Sequence, residues 1–234
     1  HAVEFLRRRR LVLTEADAYW MPDTAGTDYR TQHTKSTIGI QSIDVEGERL
    51  GYFHNTGYHE LAGEDFRGLF RVGAEPDPSR LPLYCEFLRL ESLRVLPEKR
   101  LAGLALERTR AHWQRRPRES PAGRFAASFP ERVEGFRPED LPRYHLYAFA
   151  TLRQLGSAAD LAAHHLRWLG SMKQGDFADP ATALDEVSAG CKSLILKGAR
   201  AVVSGRRTDF CPLLEPMVSA WDVSTDGLRR VFGS

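Results

Sequence analysis

The sequence predicts an α+β protein: a small antiparallel β region in residues 1–95, then an all-helical region in residues 96–234. Three observations carry this. Residues 36–43 set Ile38, Ile40 and the more distant Ile43 among small or polar residues, close to the period of a half-buried strand. From about residue 97 the apolar spacing changes to 3.6, most clearly along Tyr144, Tyr147, Ala148, Leu152, Leu155, Ala159, Ala162, Leu166 and Leu169. The 234 residues are 42% apolar and 27% charged, the balance of a globular chain long enough for one large core or two small ones.

The elements follow in order. Residues 2–9 read as the tail of an amphipathic helix, and residues 11–17 as an apolar strand. Residues 19–29 carry Pro22, Gly26 and two aspartates, Asp23 and Asp28, and form an unusually aromatic loop. Residues 36–43 and 50–53 make a hairpin with its turn at Glu46-Gly47, where glycine takes positive φ at little cost. His59 and Glu60 read as loop residues, residues 73–82 as a proline-rich loop, and residues 84–90 as a further strand. A helix begins near Leu101, residues 116–122 connect it onward, and the long stripe from Tyr144 follows. A third helix spans about 180–204, with Pro180 suited to its first turn, and a fourth about 211–231.

Composition excludes several function classes. A formal charge of +2 does not match a dedicated nucleic-acid binder, and Arg7–Arg10 reads as a solvated helix end. Cys85, Cys191 and Cys211 are odd in number and far apart, which gives neither a zinc site nor a disulfide framework and fits reduced thiols in a cytoplasm. Cys85, inside a strand-like run, reads as a small buried hydrophobe. No apolar run reaches the ~18 residues of a membrane span, and no signal peptide is evident. His164 and His165 point about 100° apart on a helix, so they cannot chelate one metal from one face; they read as buried or half-buried.

The residues that could carry chemistry lie in the β region. His33 precedes the hairpin and Asn55 follows its return strand. A thiol-type acyl-transfer site needs an imidazole to take a proton and a third group to hold that imidazole in one tautomer. In papain-like folds the His begins one strand and the Asn or Asp ends a neighbouring one, and His33 and Asn55 stand in that order. Surface or capping polar groups are the other reading of the pair. With a two-residue turn at Glu46-Gly47, Asn55 faces Ile38, five residues or ~16 Å from His33, so a bulge or bent entry loop is required. Asp17, Asp23, Asp28 and Tyr29 could rim the site, binding an amine or orienting the imidazole; turn chemistry is the alternative for Asp28 and the favoured one for Asp23.

The stretch Asp17–Lys35, with Tyr52-Phe53-His54-Asn55-Thr56-Gly57-Tyr58 and Tyr147-Ala148-Phe149-Ala150-Thr151-Leu152-Arg153-Gln154-Leu155-Gly156, resembles a bacterial family named domain of unknown function eighteen thirty-nine. That family in turn resembles the papain-like N-terminal domain of the butirosin biosynthesis H acyltransferase. The shared order of strand, Asp, aromatic loop, His, two strands and Asn or Asp falls here on Asp17, Tyr19, His33 and Asn55. The resemblance implies a partial papain-like sheet, His33 and Asn55 as catalytic residues, and Asp17, Tyr19, Asp28 and Tyr29 as substrate-binding residues. It implies a cysteine-dependent acyl or aminoacyl transferase. The expected partner is an acyl or aminoacyl carrier protein, which supplies the phosphopantetheine thioester, with an amino acid–carrier-protein ligase nearby. No metal, nucleic acid or membrane is expected. Because the chain lacks an initiator Met and its first helix is already under way, the nucleophile is expected upstream, in an Asn-Cys-Tyr motif. A thiol hydrolase of the same fold and a non-catalytic partner of the carrier protein or ligase are the rival readings.

Overall fold

Ile38 and Ile40, spaced by two, fall on one face of a strand, and Leu50 and Tyr52 meet them from the next; this face begins the core of the first of two units. A computed structural model describes residues 2–75 and 83–233 of the chain, which divides into His1–Val95 and Leu96–Ser234.

In the first unit, helix α1 (Ala2–Arg7) leads into β1 (Arg10–Asp17), and two short 3₁₀ turns, Ala18–Trp20 and Pro22–Thr24, open the aromatic loop. Strands β2 (Lys35–Asp44), β3 (Arg49–His54) and β4 (Gly57–Ala62), helix α2 (Glu64–Phe70) and strand β5 (Cys85–Arg89) follow. The sheet is antiparallel throughout, in the order β4-β3-β2-β1-β5. Its inner face buries Val12, Ala16, Ile38, Ile40, Leu50, Tyr52 and Leu61, and Met21, Phe66 and Leu69 close over them.

Several expectations change here. The β2–β3 turn takes residues 45–48 rather than two, and Glu48, not Gly47, carries the positive φ of 50°. Gly47 instead donates its amide to Asp44 Oδ1. The register slips between Ile40 and Ser42, but continuing the Gly39–Phe53 pairing sets Asn55 level with Thr37, so the slip does not bring it to His33. His59 and Glu60 lie in β4, not in a loop. Cys85 is exposed, because β5 is an edge strand whose residues are all solvent-facing. Of the expected proline-rich loop, residues 76–82 lie outside the described residues.

In the second unit, α3 (Glu98–Trp113), α4 (Pro121–Glu134) and α5 (Leu141–Ala148) precede a single π turn, Phe149–Arg153, which runs without a break into α6 (Gln154–Ser171). Helices α7 (Ala178–Ser204) and α8 (Cys211–Phe232) complete it. The core contains Phe129, Tyr144, Leu152, Leu166, Leu169, Leu194, Phe210 and Met217, with Tyr147, Leu155 and Trp168 packed half-buried against it. α4 has no counterpart among the expected helices; Pro121 sits in its first turn, where the missing N–H costs nothing, and Ser120 caps it by accepting from Gly123 N–H. His164 is exposed and only His165 is half-buried, 2.9 Å from Thr109 Oγ1. Among the described residues no strand lies beyond β5, and no helix is long and apolar enough to cross a membrane.

Candidate functional site

Two histidine–aspartate pairs stand at the end of the sheet where β2 begins. The first joins His33, in the loop before β2, to Asp17, at the end of β1. β1 and β2 pair through Asp17 and Lys35, which brings the loop alongside. His33 Nδ1 lies 2.7 Å from Asp17 Oδ2, while Asp17 Oδ1 accepts the Tyr19 amide and so caps the first 3₁₀ turn. A carboxylate only accepts, so His33 donates from Nδ1, and in the neutral ring Nε2 carries the lone pair. Tyr19 stacks on the ring, with centroids 4.4 Å apart. The His33 side chain is 66% exposed. With Asp17, Trp20, Arg67, Gly68 and Leu83 it lines a cleft of about 460 Å³. Gly68 is required there, since a Cβ would collide with the Trp20 indole.

The second pair is buried. Alternation puts Tyr52 and His54 of β3 on the inner face, with Ser36 of β2 at the same end. Asp23, from the second 3₁₀ turn, descends onto them. His54 Nδ1 is 2.5 Å from Asp23 Oδ2, and Tyr52 donates its hydroxyl to Asp23 Oδ1. His54 Nε2 lies 2.7 Å from Ser36 Oγ, and His59 Nε2 approaches Asp23 Oδ2 to 4.0 Å. The Asp23 and His54 side chains are 5% and 6% exposed; Ser36 is half-buried. Burial pushes the Asp23 carboxyl up, but the hydrogen bonds from Tyr52 and His54 and the nearby histidines outweigh it and hold it below the usual carboxylate range. The same surroundings push the Tyr52 hydroxyl well up, burial first and Asp23 second.

The expected site residues therefore separate. His33, Asp17 and Tyr19 come together. Asn55 is exposed at φ 51° in the tight turn joining β3 to β4, and its amide stands 3.4 Å from the His54 ring, so the partner orienting His33 is Asp17. Asp28 caps its own loop, accepting from Gln32 at 2.8 Å, and its carboxyl is held low by hydrogen bonds from Thr34, Thr27 and Gln32. Tyr29 donates to Asp65 of α2 at 3.0 Å; beside it, Arg30 pairs with Asp65 at 2.5 Å and lies over Trp20. These contacts fasten the aromatic loop to α2.

As a set, Ser36, Asp23, Tyr52 and His54 escaped the sequence reading, which weighed Asp23 alone and favoured turn chemistry for it. The signal was the period of two running Leu50, Tyr52, His54: a histidine on a core face needs a buried partner, and the loop before β2 holds the acids. Among the described residues no group of three or more His, Cys, Asp or Glu is arranged to hold a metal ion.

The model of the DUF1839 N-terminal domain matches residues 1–90, and that of the DUF1839 C-terminal domain matches residues 98–230. The chain belongs to this family. It matches no curated protein.

Proposed function

We propose that this member of the DUF1839 family is an acyl or aminoacyl transferase of the cytoplasm that takes its acyl group from the phosphopantetheine thioester of a carrier protein. One observation carries the reading: His33 is locked by Asp17 and Tyr19 into the tautomer that presents a free Nε2, at the mouth of a cleft. In the reaction His33 Nε2 takes a proton from the acceptor amine as its nitrogen bonds to the thioester carbon. The C–S bond breaks and the departing thiolate takes that proton back from His33. Asp17 holds the ring throughout and stabilises the imidazolium. A cysteine nucleophile would use the same base, and water in place of the amine gives a hydrolase.

The test is consumption of the thioester on an aminoacyl-loaded carrier protein by the full chain with an amine acceptor. His33→Ala is expected to slow it by ~10²–10⁴-fold, the usual contribution of a general base, while Cys191→Ser, in the core of the second unit, leaves it unchanged. Equal rates for His33→Ala and the parent protein would remove the reading.

A second reading, a non-catalytic partner of the carrier protein or its ligase, is favoured by the exposed apolar pair Leu146 and Phe149, 72% and 59% accessible and one turn apart on the second unit. Saturable binding of the loaded carrier, lost in Leu146→Asp and accompanied by no thioester consumption, would select it.

A further inference from the structure

We propose that Ser36 is an activated nucleophile that accepts an acyl group from an ester, with His54 as its base and Asp23 as the positioning residue. This site is distinct from the His33 base and goes beyond the reading above.

The connectivity has a direction. Asp23 is held ionised, and an ionised carboxylate can only accept, so the proton between Asp23 Oδ2 and His54 Nδ1 belongs to the imidazole. When the ring is neutral its lone pair is therefore on Nε2, and the hydroxyl 2.7 Å away donates to it. Ser36 Oγ–H thus points at a base whose other nitrogen is tied to a buried acid, the arrangement that raises the nucleophilicity of a hydroxyl. The acid is itself fixed: Tyr52 occupies its other oxygen. Each member comes from a separate piece of backbone, β2, β3 and the 3₁₀ turn at Pro22–Thr24. Burial increases along the relay away from the hydroxyl, with Ser36 half-buried and His54 and Asp23 almost fully enclosed. Ser36 is therefore the residue of the three nearest solvent.

In the first step Ser36 Oγ bonds to the ester carbonyl carbon as its proton passes to His54 Nε2. The alkoxide departs with that proton as its C–O bond breaks, leaving an acyl-serine. Water then gives a proton to His54 and adds to the carbonyl, the acid is released, and Ser36 recovers its proton.

A fluorophosphonate probe reads this directly, because the serine oxygen displaces fluoride and the adduct survives digestion. Incubated with the folded full chain, it is expected to add one label per molecule, on the peptide containing Ser36. Ser36→Ala should abolish the label while keeping the melting temperature. Asp23→Asn should slow labelling by ~10²–10⁴-fold, the range for loss of general-base assistance. His33→Ala should label like the parent protein, which separates this proposal from the thioester reaction. The proposal is overturned if the folded parent protein takes no label, if the label sits on another residue, or if Ser36→Ala is labelled equally. A parent protein that stays unlabelled while Ser36→Ala melts lower would make the relay a clasp for the end of the sheet.

Discussion

The Tyr144 phenol ring occupies the space that a side chain at Gly198 would need, so that this ring of α5 packs directly on the backbone of α7. A Cβ on Gly198 would collide with the Tyr144 hydroxyl, which donates to the Ile195 carbonyl at 2.9 Å. Two effects oppose each other in Gly198→Ala. Alanine improves helix propensity by ~1 kcal/mol, and overpacking a full core costs ~1–3 kcal/mol. Tyr144 is fully buried and cannot swing aside, so overpacking wins and the variant is destabilised. In a Tyr144→Phe background the same change should cost less, and urea titrations of the four proteins measure that coupling.

Leu152 and Leu155 test the position of the stripe. Leu152 is fully buried and Leu155 half-buried. Leu152→Ala should lose ~2–5 kcal/mol, and Leu155→Ala distinctly less. Equal losses in denaturant titration would contradict the packing.

The thiols should react in order. Cys191 is buried beside Met217, and burial pushes its thiol up to about 11. Cys211 is exposed, but the hydrogen bond with Asp209 and that residue's charge push its thiol up as well. At pH 8 a thiol-disulfide reagent should modify Cys85 first and Cys211 more slowly, with Cys191 appearing only on unfolding. Three groups reacting at one rate in the folded protein would count against this.

Acid should loosen the first unit through Asp23. Its carboxyl is depressed in the folded state, so its contribution to stability is fully present above the ordinary carboxylate range, near pH 4–5, and is lost as pH falls through the folded value. Hydrogen exchange of β2 and β3 peptides should therefore accelerate in this acid window, beyond its intrinsic pH dependence. Asp23→Asn should exchange faster at neutral pH and lose most of this acid response.

The sequence makes β1, β2, β3 and β5 legible because their apolar residues alternate or run together. It hides β4, which pairs on one side only and interleaves Tyr58 and Leu61 with polar residues. It hides α4 because Pro121, Gly123 and Pro130 read as breakers, although Pro121 stands where a helix tolerates it. Asp17 and His33 are legible as the ends of adjacent strands. Asn55 misleads, because proximity to a strand end does not reveal that its backbone turns left-handed and carries the side chain to His54. Asp23 looks like turn chemistry for a physical reason: the turn it occupies is what lowers it onto Tyr52 and His54.

The π turn at Phe149–Arg153 works as a phase correction. Tyr144, Ala148, Leu152 and Gly156 are all buried at steps of four residues. In an uninterrupted α-helix Gly156 would stand about 120° around the axis from Tyr144, because each residue turns the chain by about 100°. One extra residue taken up by a wider turn reduces that error to about 20°. The helix on either side therefore shows the bundle the same bearing, although the sequence between them is one residue too long for a regular spiral. Deleting a single residue from this turn, with no core side chain altered, would straighten the spiral and leave α5 and α6 in register; inserting one elsewhere in the rod would swing the whole downstream stripe, from Ala159 to Leu169, toward water.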